Sequence, residues 1–248
     1  MGKYFSVTKK IPIAASKQHA AFASGDVLSD WVSIQIPKGT VCLKSVTILV
    51  RPKGDASPTW NNFPGDIVFS KTNTVSLGTV NSNLDHRPNP DFIGAIEIDA
   101  ANYASGAMQS TSVATLGNDI GGGTPPLILT GDPTTGDNVG YDTLYVGIIA
   151  RDAWDFTSIN TVNETGFSAG AQTVITMDDG SAGGTMDVRE HFAAGDILHA
   201  QDDAVLGTLA SADSATQLTL TAANTDAIAE NDVIYNLHPI TLILGFEK

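Results

Sequence analysis

Two apolar runs constrain the fold of this chain more than any other feature. Thr143-Leu144-Tyr145-Val146-Gly147-Ile148-Ile149-Ala150 and Pro239-Ile240-Thr241-Leu242-Ile243-Leu244-Gly245-Phe246 have the same β-rich character, yet a long stretch separates them. That stretch carries a β unit of its own, residues 192–237. Gly195-Asp196 opens the short apolar run Ile197-Leu198, and Asp202-Asp203 marks a turn. Ala204-Val205-Leu206 leads to Gly207-Thr208 and then to a polar turn over 211–215. Gln217-Leu218-Thr219-Leu220-Thr221 alternates apolar and polar residues with the period of a half-buried strand, and Val233-Ile234-Tyr235 supplies a last one. The pattern predicts a small antiparallel module inserted between two strands of a larger sheet. Exposed connections tolerate such insertions because a module's ends tend to lie close together.

The rest of the chain supports the larger sheet. Val27, Trp31-Val32, Ile34 and Ile36 alternate along one strand, Pro37-Lys38-Gly39 turns it, and residues 41–50 form a second; together they read as a hairpin. Tyr4-Phe5-Ser6-Val7 and Ile11-Pro12-Ile13 are short extended pieces, and Pro12 restricts the latter to an edge strand or an arm. Residues 16–23 are a weak helical patch, and 100–115 are ambiguous. No long stretch repeats its apolar residues every 3.6 positions. Only 16% of residues are charged, whereas the 24 glycines belong with turn chemistry. The expected fold is all-β: a jelly-roll-like antiparallel sandwich of about eight strands, formed by residues 1–157 plus 238–248, with an inserted small β module over 158–237.

Net charge is −14 and the sequence pI about 4.4. Such a surface repels phosphate backbones and anionic lipid, so neither nucleic acid nor membrane is an expected partner. Cys42 is the single cysteine, which excludes an intrachain disulfide; between Val41 and Leu43 it reads as a buried structural thiol. MGKYFSVTKK lacks an apolar core of signal-peptide length, and no segment is long and apolar enough to span a bilayer. These features predict synthesis in a cytoplasm without an export address.

Candidate chemistry is sparse. Gly166-Phe167-Ser168-Ala169-Gly170 spells G-x-S-x-G, but a nucleophile elbow needs a strand before it and a helix after it. Here a β run follows, so a glycine-rich turn is the better reading. The five histidines show no zinc spacing, although His191 and His199 could meet across a hairpin. Asp178-Asp179 and Asp202-Asp203 fit Asx turns better than a calcium loop. Gly121-Gly122-Gly123 lacks the lysine of a phosphate loop. Asn163-Glu164-Thr165 is a formal sequon. No catalytic, cofactor-binding or metal-binding residue is assigned. Trp31 belongs to a strand, whereas Trp60 and Trp154 lie in loops and read as interface anchors ahead of a sugar platform.

The order Gly195-Asp196, Leu206-Gly207-Thr208, Thr216-Gln217-Leu218-Thr219-Leu220, Asp232-Val233-Ile234-Tyr235 resembles a β module recurring in virion structural proteins of tailed phages, those of marine T4-like cyanophages most closely. The resemblance covers roughly a fifth of the chain and implies a non-enzymatic part of a virus particle. Densely packed DNA would repel an acidic protein inside a head, so an outer position is expected. The expected role is a capsid decoration or cement protein, partnered by the major capsid protein and by copies of itself in a homotrimer. The alternative is a tail or fibre component that binds a host glycan or receptor. Lys3, Lys9 and Lys10 form the one positive cluster near a chain end, and are expected to lie along an acidic neighbour as an arm.

Overall fold

The computed structural model describes residues 2–54, 62–85, 87–108, 111–117, 127–133, 140–157, 166–177 and 187–248. In chain order these form β1 (Tyr4–Ile11), a single helical turn α1 (Ala15–Gln18), β2 (Val27–Pro37), β3 (Thr40–Val50), β4 (Gly65–Ser70), β5 (Phe92–Ile98), β6 (Tyr103–Met108), β7 (Thr111–Gly117), β8 (Leu127–Thr130), β9 (Asp132–Pro133) and β10 (Tyr141–Ala150). After them come β11 (Val174–Thr176), β12 (Ile197–Ala200), β13 (Val205–Ser214), β14 (Gln217–Leu220), β15 (Ile234–Asn236) and β16 (Ile240–Glu247).

Three antiparallel sheets result. The first has the order β1-β16-β3-β7-β6, with β8 also on β3; the second is β2-β10-β4-β5, with β9 also on β10. The pairings are nested in sequence: β4 with β5, then β3 with β7, then β2 with β10, and outermost β1 with β16. Successive pairs alternate between the two sheets. A long two-stranded ribbon rolled over itself produces this order, which is the jelly-roll sandwich. The third sheet, β11-β14-β13-β12-β15, contains only strands that lie between β10 and β16 in sequence.

Alternation decides which side chains meet inside. On β16, Ile240, Leu242, Leu244 and Phe246 are buried while the residues between them stay half-exposed. On β3, Val46, Ile48 and Val50 face the same interior. Ile34 and Ile36 of β2 and Leu144, Val146 and Ile148 of β10 close the core from the second sheet. Each of these side chains contributes about 1.5–3 kcal/mol on leaving water. A separate core holds the third sheet, with Ile175, Leu198, Leu206, Leu218 and Ile234 at its centre. Trp31 lies in neither. It packs on the outer face of the second sheet with Val27, Val68 and Leu77, and its indole N–H donates to the carbonyl of Val75 at 2.7 Å.

Two sequence expectations change. β2 and β3 do not form a hairpin: one belongs to the second sheet and the other to the first. The turn between them bonds elsewhere, since the Lys38 amide donates to the Gly140 carbonyl and the Gly39 amide to Asp142 Oδ2. Gly39 holds φ at 97°, a conformation suited to glycine. The chain therefore turns a corner, and Ile34 and Ile36 face Val41 and Leu43 across the core instead of lying beside them. Likewise β10 and β16 belong to opposite sheets, so the third sheet interrupts a crossing between sheets and not one continuous sheet. Of the segments left ambiguous, 100–115 contains a 3₁₀ turn and the β6–β7 hairpin, and the helical patch shrinks to α1.

Candidate functional site

The described residues place most polar side chains of interest where the third sheet meets the sandwich. Residues 51–54, directly after β3, hold both stems of the inserted segment. The Arg51 amide donates to the Pro239 carbonyl at 2.8 Å and the Gly54 amide to the Thr157 carbonyl at 3.0 Å. Lys53 pairs with Asp155 at 2.8 Å. The Arg51 guanidinium reaches Asp196 at 3.0 and 3.2 Å, and the same carboxylate accepts the Ala193 amide at 2.8 Å. Only 6% of the Asp196 side chain is exposed, so this pair is a structural clasp.

The α1 turn adds further bonds to the junction. Ser16 donates through its amide and hydroxyl to the two oxygens of Asp203, at 2.8 and 2.7 Å. Gln18 Nε2 donates to the carbonyls of Ile13 and Asn236. His19 Nδ1 and the Tyr235 hydroxyl are 2.9 Å apart. Between these contacts lies a cavity of about 30 Å³, lined by Arg51, Phe156, His191, Tyr235 and Asn236 among others, which is room for water and little more. His199 and His238 are held below the ordinary histidine range, foremost by burial. Lys10 and Lys9 push His238 further down, and Asp196 acts in the opposite sense.

The expected site residues scatter. Trp154 is in the core at 1% exposure, beside Phe63 and Phe156, and its indole N–H donates to the Pro64 carbonyl at 3.0 Å. The chain itself covers this residue, so it is not available as an interface anchor. Gly65 leaves space for it: a Cβ there would stand 3.3 Å from the indole Cζ2. Trp60, His86, the Asp178-Asp179 pair, the sequon and the triple glycine lie outside the described residues. Ser168 sits in an exposed turn that is fastened by its carbonyl, which accepts Asn224 Nδ2 at 2.9 Å, and no helix follows it. Among the described residues no three His, Cys, Asp or Glu side chains are grouped to hold a metal ion. No helix among them is long and apolar enough to cross a membrane.

Lys3 directly precedes β1, and Lys9 and Lys10 lie within it. What read as an arm is thus an ordered edge strand, in unbroken register with β16 from Tyr4↔Glu247 to Ile11↔Ile240. One rung of the first sheet runs Tyr4, Glu247, Cys42, Ile128. Its ends are open to solvent: Tyr4 is 74% exposed and Ile128 65%. Cys42 is half-buried on this outer face, because alternation turns Val41 and Leu43 inward in its place. Lys44 pairs with Glu247 at 2.8 Å and, foremost through that bond, holds its carboxyl below the usual range. The sequence does not reveal this rung, since alternation marks each strand but not which strands become neighbours.

No family model matches the chain, and no curated protein matches it. Among solved structures, a virus major capsid protein, the STIV MCP, aligns over 99% of this chain and 96% of that one, at 12% identity and a TM-score of 0.17. A superposition that loose carries no argument. The jelly-roll assignment rests on the strand order.

Proposed function

We propose that this chain is a non-enzymatic structural protein of a virus particle of the tailed-phage type, seated on the outer head surface as a decoration or cement protein. Its partners on this reading are the major capsid protein and copies of itself, in trimers. The observation that carries the proposal is the outer side of the first sheet. Tyr4 stands exposed on β1, an edge strand with no paired neighbour beyond it among the described residues, and Ile128 stands exposed on β8 at the other end of the same rung. Large apolar side chains held open beside a free edge suit a protein that is completed by assembly.

Jelly rolls occur in viral capsid proteins, lectins and cupins, so the fold alone leaves function open. Among the described residues the interior of this roll is lined by aliphatic and aromatic side chains. The acidic balance of −14 favours a surface away from packed DNA. Immunogold electron microscopy of particles, intact and emptied of DNA, tests the proposal. Label over the outer head surface of both is expected. Label confined to tails, or absent from particles, overturns it. Sedimentation of the purified protein checks the trimer.

Removing the first ten residues is not a clean test of docking. It would strip Tyr4 to Lys10 of β1 from the sheet and leave only Ile11, which is fully buried, without the strand that holds it. Substitution of the outward-facing Tyr4 and Ile128 by serine is the appropriate perturbation, with weakened particle binding expected and the fold intact.

A further inference from the structure

From the geometry of β1 we infer a second docking element: its free edge is a β-augmentation site for an extended, acidic segment of another protein. This inference stands on the edge itself and does not depend on the particle reading. The amides and carbonyls of Lys3 and Lys248 bond reciprocally, at 3.0 and 2.9 Å. In an antiparallel ladder that pattern recurs at every second residue. Phe5, Val7, Lys9 and Ile11 therefore face β16, and the backbone groups of Tyr4, Ser6, Thr8 and Lys10 point away from the sheet. No backbone partner meets them among the described residues. β1 is also uninterrupted, its eight residues pairing with β16 without a register shift. The edge at β2 differs, because residues 80–83 bridge to Asp26 and Val27 and cover its start. A long edge with an unbroken row of unpaired backbone groups is a template for another strand.

Charge selects the partner. Lys44, Arg51, Lys53, Lys71, Arg87, Arg151 and Arg189 each take part in an ion pair. Lys3, Lys9 and Lys10 take part in none among the described residues, on a chain with an excess of carboxylates. Lys248 and Lys38 extend this set past the start of the strand, the Lys248 ammonium donating to the Lys38 carbonyl at 2.6 Å. A second copy of β1 would crowd two such sets of lysines onto one ribbon, which opposes self-pairing. An incoming strand rich in Asp or Glu would supply the missing counter-charges.

The test uses the full-length, isotopically labelled protein and a synthetic peptide of alternating glutamate and valine as long as β1, with a lysine–valine peptide as control. The acidic peptide is expected to bind, to shift the amide resonances of Tyr4, Ser6, Thr8 and Lys10, and to weaken as salt rises. Thr8→Pro removes one outward amide and leaves the β16 ladder whole, which an edge strand tolerates; affinity should fall at least about tenfold. If Thr8→Pro does not fold, Lys3→Glu with Lys10→Glu decides, with the same loss expected. The inference is overturned if the peptide fails to bind, if the lysine–valine peptide binds as well, or if a folded Thr8→Pro binds unchanged. A concentration-dependent dimer that Thr8→Pro abolishes would also overturn it, by making the occupant a second copy.

Discussion

Replacing Trp154 by alanine should destabilise the sandwich and leave the third sheet's own melting untouched. The indole is 1% exposed, contacts Phe63 and Phe156, and satisfies the Pro64 carbonyl at 3.0 Å. Removing a fully buried tryptophan costs about 3–5 kcal/mol, the cavity included. For a unit of this size each kcal/mol lowers Tm by about 2–4 °C, giving a fall of roughly 6–20 °C. The two cores share no residue, so calorimetry should resolve two transitions, of which only the sandwich's moves. Trp154→Phe keeps a ring but loses the hydrogen bond, and should cost about 1–2 kcal/mol. A shift of under about 2 °C accompanied by a changed sedimentation coefficient would refute the reasoning, because it would make Trp154 an anchor between subunits after all.

Three further outcomes are expected. Arg51→Ala leaves the Asp196 carboxylate nearly buried with the Ala193 amide but without its cation, and should cost about 2–3 kcal/mol in urea unfolding; adding Asp196→Ala should cost less than the sum of the single changes. Acid should loosen the junction. His199 and His238 are depressed on folding, so their stabilisation is full above the unfolded histidine value of about 6.5 and is lost as pH falls through the lower folded values. Hydrogen-exchange protection at residues 195–200, taken relative to the intrinsic rate at each pH, should fall over that window, and His199→Gln with His238→Gln should flatten the response. Ser168→Ala should leave stability within about 0.5 kcal/mol and esterase readouts unchanged, because the turn is fastened by the Ser168 carbonyl and not by its hydroxyl.

The fold class was legible because alternation is a local signal. Val27–Pro37, Thr40–Val50, Tyr141–Ala150 and Ile240–Glu247 all emerge where the apolar pattern puts them. Partner choice was not legible, since a turn's residues do not say which amides will close it. Pro37-Lys38-Gly39 has the composition of a hairpin turn, yet its donors go to Gly140 and Asp142, distant in sequence. The clasp at Arg51 was hidden for the same reason: a lone arginine after a strand gives no hint that Asp196 will meet it. Trp154 misled through its setting among loop residues, because its burial depends on Pro64 and Phe63 arriving from another part of the chain. Lys3, Lys9 and Lys10 were visible as a cluster, but that they lie along a sheet edge depends on where β16 docks.

The position of the third sheet follows from the roll itself. Nested pairing places β10 and β16 in opposite sheets, so the chain must cross from one sheet to the other at the rim of the sandwich, where no ladder constrains it. Both stems meet residues 51–54, Thr157 through Gly54 and Pro239 through Arg51. A segment whose two ends are pinned to one short stretch can lengthen without disturbing the strands on either side. The junction then holds the added sheet through several bonds, among them Arg51 to Asp196, Ser16 to Asp203, Gln18 to Asn236 and His19 to Tyr235. These partners come from the segment after β3 and from the α1 region, and their counterparts from before β12, after β12 and within β15. Contacts spread over that many elements resist rocking better than one hinge would. The same rim carries His199 and His238 beside Lys9 and Lys10, so added positive charge there acts first on the connection between the two bodies and only then on either core.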